Sequence, residues 1–168
     1  MSISMYSASV PLFIRFLGNL SAILEKAAAH AEAKKIDPSV LVGSRLFPDM
    51  FALARQVQVA SDTAKGCGAR LAGVDVPSYE DKEATFAELQ ERCQKTITFL
   101  QTLSADQIDG SEDRDVILPT RQGPMTFKGL AYLQGFALPN FFFHVTTAYN
   151  ILRHNGVEVG KMDFLGRT

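Results

Sequence analysis

The sequence predicts an all-α protein, a bundle of four long helices with a short β-hairpin before the last one. Apolar residues recur at alternating steps of three and four in four separate stretches, and proline or glycine residues punctuate the ends of these stretches. No internal repeat and no linker of low complexity divides the chain. A length of 168 residues is enough for one hydrophobic core, so residues 1–168 are expected to form a single domain.

The first helix is predicted to begin between Ser4 and Ser9. Pro11 lies inside the pattern and has no N–H group. The helix therefore begins either near Ser9, with Pro11 in its first turn, or near Ser4, with a bend at Pro11, and both readings stay open. Asp37-Pro38 ends it. Its apolar stripe consists of Tyr6, Val10, Phe13, Leu17, Leu20, Leu24, Ala27 and Ala31.

The second helix is predicted to start near Pro48 and to carry the same apolar rhythm. Small residues dominate its second half, which indicates the close approach of a neighbouring helix. Gly66, Gly68 and Gly73 weaken and end this helix. Its stripe consists of Leu46, Met50, Leu53, Val57, Ala60, Ala64, Cys67 and Leu71.

The third helix and a hairpin follow. Ser78, with Asp81 three residues later, resembles a capping box, and the helix is expected to end near Ser104. Residues 113–120 contain a β-prone run and are separated by a turn from residues 124–127. These two segments predict a short, exposed hairpin.

The fourth helix is predicted over residues 128–155, with Pro139 inside it. Because proline removes a backbone hydrogen bond and clashes with the preceding turn, we expect a kink or a break just before Asn140. Gly156 suits the position after the helix end. Residues 157–166 have no helical period, and their apolar side chains are expected to dock on the bundle or on a second subunit.

The fourth helix directs polar side chains towards the core. His144, Asn140 and Thr147 share its apolar stripe with alanine and isoleucine. Asp49, Gln56 and Thr63 repeat every seven residues on one flank of the second helix. If the two helices pack together, Gln56 meets Asn140 and His144 in a buried polar cluster. The candidate residues of this pocket are Gln56, Asn140, His144, Asp49, Asp62 and Thr147.

The residue types in this cluster do not favour a metal or a catalytic dyad. A transition-metal site needs three imidazoles, thiolates or carboxylates, and an amide oxygen is a poor substitute. Asp49 and Asp62 lie thirteen residues apart on one predicted helix, too far to act on one bond. The sequence contains no nucleotide-binding or nucleophile motif. We therefore expect no cofactor and interpret His144 as a histidine hydrogen-bonded to Asn140, Thr147 or a facing glutamine.

Composition limits the partners and the compartment. A net charge of −1 gives no long-range attraction for nucleic acid or for an anionic membrane. Polar residues interrupt the N-terminal apolar run, which argues against a signal peptide or a membrane span. Cys67 and Cys93 occupy apolar helix positions and are interpreted as buried free thiols, so a cytoplasmic location is expected.

Two blocks of sequence carry a family resemblance. One is the string Phe136-Ala-Leu-Pro-Asn-Phe-Phe-Phe-His144 with its Leu-Arg-His-Asn-Gly ending and the later Gly160-Lys-Met-Asp-Phe-Leu-Gly166. The other is Arg45-Leu-Phe-Pro-Asp-Met50 together with Gln56 and Asp62-Thr-Ala-Lys65. Both resemble a bacterial family of unknown function within the DinB/YfiT-like metalloenzyme superfamily.

The resemblance implies a four-helix bundle with a long crossover, either between the second and third helices or between the third and fourth, and often a homodimer. Metal-binding members of the superfamily join a histidine of the second helix to an H-x-x-x-H pair on the last. Counting back from Leu152-Arg153, His144 corresponds to the later histidine, Asn140 to the earlier one and Gln56 to that of the second helix. Two of the three ligands are thus replaced.

Three functions follow from the sequence. The first is a homodimeric protein whose metal-free pocket of Gln56, Asn140 and His144 binds a small molecule. The second is a hydrolase or thiol transferase that uses a divalent ion, zinc or nickel, held by His144 with Asn140, Gln56 and either Asp49 or Asp62. The third is a structural or interaction protein in which the polar cluster only sets the helix register.

Overall fold

A computed structural model describes residues 3–120 and 122–166 of the chain, and four long helices form its core. These helices are α1 (Val10–Lys34), α3 (Leu53–Ala72), α4 (Phe86–Gln101) and α7 (Leu138–His154). The shorter elements are α2 (Pro38–Val42), α5 (Ala105–Ile108), β1 (Asp115–Leu118), β2 (Met125–Lys128), α6 (Gly129–Tyr132) and α8 (Lys161–Leu165). A π-helical turn, Leu133–Ala137, joins α6 to α7.

The long helices pack in two main pairs, α1 with α4 and α3 with α7, and α3 also packs against α4. Phe13 and Phe141 meet edge to face between α1 and α7, with ring centroids 4.9 Å apart. Gly68 allows α4 to come close, because a Cβ atom there would lie 2.8 Å from side-chain atoms of Leu100 and Leu103. The predicted all-α four-helix bundle is confirmed, and its longest connection runs from α4 to α7 through α5, the hairpin and α6.

The first helix begins at the later of the two predicted positions. Ser9 precedes α1, and Pro11 is the second residue of the helix. Backbone N–H groups in the first turn have no partner within the helix, so proline loses no hydrogen bond at this position. The hydroxyl of Ser9 does not cap the helix but donates to the carbonyl of Met5 over 2.6 Å. Lys35, in the left-handed conformation with φ 55°, ends α1.

The predicted start of the second helix near Pro48 is wrong, because α3 begins at Leu53. The Arg45 guanidinium donates to the carbonyls of Pro48 and Met50 at 3.4 and 3.3 Å, and the amide of Leu53 donates to Ser44. These contacts stabilise a turn in place of a helix. The predicted end is correct, since Gly73 adopts φ 71° after the last turn.

The capping box was predicted at Ser78 and Asp81, and it lies seven residues later, so that prediction is wrong. The amide of Glu88 donates to Thr85 Oγ1 over 3.2 Å, and the amide of Thr85 donates to the Glu88 carboxylate over 2.9 Å. This is the Thr-x-x-Glu form of the motif, in which glutamate reaches back farther than aspartate can. Residues 74–84 consequently form a link without helix or strand, and α4 ends at Gln101, close to the expected Ser104.

The fourth predicted helix is interrupted just before α7. The π-helical turn ends at Ala137, and Pro139 is the second residue of α7. A wide turn at this point suits a residue that cannot donate to the preceding turn. Gly156, with φ 86°, follows the end of the helix as predicted.

The C-terminal tail docks on the bundle, the first of the two predicted alternatives. It contains the short helix α8, which the sequence did not predict because five residues are too few to show a period. Phe164 contacts the rings of Phe16 and Tyr149, with centroids 5.3 and 6.1 Å apart. Asn19 donates to the carbonyl of Phe164 over 2.9 Å.

The hairpin forms as an antiparallel pair in which Val116 lies opposite Phe127. It is exposed on one face only, because Val116 and Leu118 are buried while Ile117 is exposed. No described helix is long and apolar enough to cross a membrane. Cys67 and Cys93 are buried free thiols, as predicted, and burial raises the pKa of Cys93 to about 12 and also raises that of Cys67.

Candidate functional site

A hydrogen bond between α3 and α7 joins two of the predicted site residues. The Nδ1 atom of His144 lies 2.7 Å from Oε1 of Gln56, and both residues are buried, with 6% and 1% of their surfaces exposed. The Gln56 amide nitrogen donates to the carbonyl of Phe51 over 3.0 Å. Because this bond fixes the orientation of the amide, Oε1 must accept, and Nδ1 of His144 carries the proton.

The second ring nitrogen of His144, Nε2, has no hydrogen-bond partner in the described part of the chain. In that part of the chain, two buried side-chain polar atoms lack a partner, and they belong to Arg92 and Ser111. Nε2 of His144 is therefore not fully buried and retains contact with solvent. Burial, together with the positive charge of Arg55, lowers the pKa of His144 below its usual value. The imidazole is therefore neutral at pH 7, and Nε2 presents a lone pair.

Two phenylalanine rings flank this imidazole. Phe51 stacks on it at an interplanar angle of 20° with centroids 6.4 Å apart, and Phe143 meets it at 90° with centroids 5.2 Å apart. Each ring is about half exposed, at 51% and 56%. The Arg55 guanidinium lies 5.8 Å from the centroid of Phe51. The lone pair of His144 thus lies among aromatic surface that solvent can reach.

The structure places Asn140 and Thr147 on the same helix as His144 but does not bond them to it. Asn140 donates from Nδ2 to Thr63 Oγ1 over 2.8 Å, two turns along α3 from Gln56. Thr147 is buried and donates to the carbonyl of Phe143 over 2.7 Å. The predicted three-residue cluster is consequently two separate pairs on one seam between α3 and α7.

The two aspartates of the predicted site lie elsewhere. Asp49 is exposed in the turn before α3, because that part of the chain is not helical. Asp62 lies on α3 but faces α4, where its Oδ1 atom accepts from Lys65 Nζ at 2.8 Å and from Arg92 Nη2 at 3.0 Å. Neither carboxylate joins the imidazole of His144.

Sequence reasoning missed a charged cluster centred on Arg92. Only 1% of its side-chain surface is exposed, yet three carboxylates surround it: Nη2 lies 3.0 Å from both Asp62 and Asp81, and Nη1 lies 2.8 Å from Glu83. Nη1 also donates to the carbonyl of Glu80 over 3.1 Å. The acidic run in the link before α4 was an available signal, but helical periodicity says nothing about where a link folds.

Pairing outweighs burial in this cluster. Burial disfavours the charged forms of both Glu83 and Arg92. Hydrogen bonds from Arg92 and Gln58, and the charge of Arg92, nevertheless lower the pKa of Glu83. The carboxylates of Glu83, Asp62 and Asp81 likewise raise the pKa of Arg92. The cluster binds α3, α4 and the link together.

The aromatic ring of Tyr79 lies beside these charges. Lys65 Nζ is 3.8 Å from its centroid and Lys95 Nζ is 4.3 Å away, so two ammonium groups contact one ring. Lys65 is buried, with 4% of its surface exposed. These contacts hold the link against the bundle.

Comparison with known proteins assigns the chain to a family. Residues 5–165 match the model of a domain of unknown function (DUF1993). The chain belongs to this DUF1993 family. The crystal structure of a DinB family member protein from Shewanella denitrificans is similar to this chain, with a TM-score of 0.91 and a sequence identity of 45%. The match covers 97% of this chain and 92% of the Shewanella protein. No curated protein matches the chain. The resemblance to DinB proteins is thereby confirmed.

The seam around His144 in this DUF1993 protein is poor in the side chains that usually hold zinc or nickel. Between residues 3 and 166, apart from residue 121, no group of three histidine, cysteine or acidic residues could hold an ion. At the seam, the available donors are one imidazole and two carboxamides, and both carboxamides already make hydrogen bonds. Zinc and nickel prefer imidazole, thiolate or carboxylate ligands.

Proposed function

We propose that this protein binds a small molecule that carries an aromatic ring and a hydroxyl or N–H group, at a site formed by His144, Phe51 and Phe143. The hydrogen bond from His144 Nδ1 to Gln56 carries the proposal. It leaves Nε2 of a neutral imidazole as a fixed acceptor that solvent can reach.

The aromatic surroundings support the ligand class. Phe51 and Phe143 expose about half of their surfaces on two sides of the imidazole. A ligand ring can stack on one and meet the edge of the other, which are the favoured arrangements of aromatic pairs. A hydroxyl group on that ring would then donate to Nε2 of His144.

A metal-dependent hydrolase or thiol transferase has less support. One imidazole and two amide groups offer a weak ligand set for zinc or nickel, and Asp62, whose Oδ1 atom accepts from Lys65 and Arg92, does not join His144. Metal analysis of the purified protein separates the two functions. A stoichiometric ion that disappears in His144→Ala would support the enzyme instead.

Phenol and toluene provide a matched pair of probes, since toluene carries a methyl group of similar size in place of the hydroxyl group of phenol. We expect phenol to bind more tightly than toluene, by about threefold to tenfold, because one hydrogen bond contributes roughly 0.5–1.5 kcal/mol. His144→Phe fills the same space without an acceptor and should abolish the difference. Binding is followed by chemical-shift perturbation of the amides around His144.

Two further variants control this experiment. His154→Gln alters an exposed imidazole on the same helix and should leave the preference for phenol unchanged. Gln56→Glu keeps a partner for Nδ1 but favours the imidazolium, whose Nε2 becomes a donor, so the preference should fall. Equal binding of phenol and toluene to the unaltered protein would refute the proposal.

A further inference from the structure

A second feature of α3, distant from His144, concerns Arg70. Its side chain is only partly exposed, and it forms no ion pair with any described carboxylate. With the residues that the structure describes, its side chain makes one hydrogen bond, from Nη1 to the hydroxyl oxygen of Tyr132 over 3.3 Å. A guanidinium has five N–H donors, so the residues that the structure describes use only a small part of its hydrogen-bonding capacity.

The missing side chain of Gly66 makes room for this guanidinium. A Cβ atom at Gly66 would lie 2.3 Å from Nη1 of Arg70, which is closer than atoms can approach. The arginine side chain therefore folds back along α3 and covers the glycine, one helical turn before its own position. Asp62 lies one turn farther back on the same side of the helix.

A cavity of about 230 Å³ opens at this place. Its polar lining comes from Arg70, Asp62, Thr63, Thr120 and Tyr132, and Phe136 forms an apolar wall together with Leu118 and Pro119. Asp62 uses Oδ1 for both of its cationic partners, so its Oδ2 atom makes no hydrogen bond with the described residues. The cavity thus offers a cation and a free acceptor that do not pair with each other.

The π-helical turn borders the same cavity. Tyr132 immediately precedes this turn, and Phe136 lies within it. Such turns are rare and often occur at functional sites. Burial raises the pKa of Tyr132 to about 12, so its hydroxyl stays protonated next to the guanidinium.

We propose that this cavity binds a small molecule through a carboxylate or phosphate group held by Arg70, with a hydroxyl or amino group of the same molecule donating to Asp62. A guanidinium binds either oxyanion with two parallel hydrogen bonds, which accounts for the choice of arginine. This site goes beyond the His144 site, because none of the residues that line the cavity belongs to that site.

Titration of the full-length protein with three probes tests the proposal. Inorganic phosphate and acetate show which oxyanion the cavity takes, and glycolate, which is acetate with a hydroxyl group, tests the contact with Asp62. We expect saturable binding of at least one anion at millimolar concentration and tighter binding of glycolate than of acetate. Amide shifts should map to the cavity.

Variants of the same chain give the decisive comparison. Arg70→Gln should weaken binding by about tenfold or more, because hydrogen bonds to a charged group are lost. Gly66→Ala should weaken binding to a smaller extent, since the new methyl group displaces the guanidinium but leaves its charge, and alanine favours the helix. Arg153→Gln, an exposed arginine of α7, should leave binding unchanged.

Each possible result decides the question. Saturable binding that both Arg70→Gln and Gly66→Ala reduce supports the site, and the preferred anion then identifies the ligand class. The proposal is overturned if no probe binds saturably, if Arg70→Gln binds as well as the unaltered chain, or if the shifts map elsewhere. Circular dichroism of Gly66→Ala confirms that the helix is retained.

Discussion

Arg92 on α4 reaches Asp62 on α3 in a hydrogen-bonded ion pair, with Nη2 3.0 Å from Oδ1. The same guanidinium binds Glu83 and Asp81 of the link, so one buried cation joins three segments of chain. Removing one member of such a cluster is destabilising, because it leaves a buried charge without its partner.

Replacing Arg92 by glutamine should therefore destabilise the protein by roughly 2–4 kcal/mol, less than for fully buried pairs because two of its carboxylate partners are partly exposed. Urea denaturation provides the measurement. Arg153→Gln serves as the control, and we expect a change within about 0.5 kcal/mol for this exposed position. Equal stability of the two variants would show that the cluster is not required.

His144 should make stability depend on pH. Its pKa in the folded protein lies below the usual 6.5, chiefly because of burial and also because of the charge of Arg55. As the pH falls below about 6.5, the unfolded chain binds a proton before the folded chain does, so the free energy of unfolding decreases. The decrease stops once the pH is below the folded pKa.

Urea denaturation across this pH range, with unaltered protein and His144→Phe, measures the effect. The variant should lose the part of the pH dependence that this imidazole causes, whereas His154→Gln should retain it. Identical pH profiles for the unaltered protein and His144→Phe would contradict the expectation.

The bond between Thr63 and Asn140 can be tested by a double-mutant cycle. Each of the single variants Thr63→Val and Asn140→Leu leaves a partly buried polar group without its partner and should cost about 1–2 kcal/mol. The double variant removes both groups, so its cost should be smaller than the sum of the two. Additive losses would mean that the bond does not couple the helices.

The chain is also predicted to form a homodimer. Two apolar residues close together in the chain are exposed: Val40 of α2, at 58% of its surface, and Phe47 in the turn that follows, at 63%. Light scattering after size exclusion should give twice the chain mass of 18.4 kDa at micromolar concentration. Phe47→Ser should shift the mass towards the monomer. A monomeric mass for the unaltered chain would end this prediction.

Periodicity predicted the four long helices, and it placed Gln56 and His144 on faces that meet if the second and fourth predicted helices pack together. Both depend on which residues share a helix face, and that is a local property of the sequence. The same reasoning failed at Pro48, because Leu46 and Met50 continue the apolar rhythm of α3 although a turn interrupts the helix there. An apolar stripe identifies a face and not the first residue of a helix.

The Arg92 cluster and the cavity at Arg70 could not be predicted in this way. Both depend on residues brought together by the links, such as Glu83 beside Arg92. Gly66 was interpreted as a weak point of the helix, and its missing Cβ instead makes room for the guanidinium of Arg70. What a glycine accommodates depends on long side chains whose directions the sequence pattern does not specify.

The two cysteines give the protein an internal reporter of its own opening. Cys67 and Cys93 have no exposed surface, and their thiols resist conversion to the reactive thiolate. A thiol-modifying reagent can therefore label them only in molecules whose helices have separated. The labelling rate in the absence of denaturant would report how often the bundle opens.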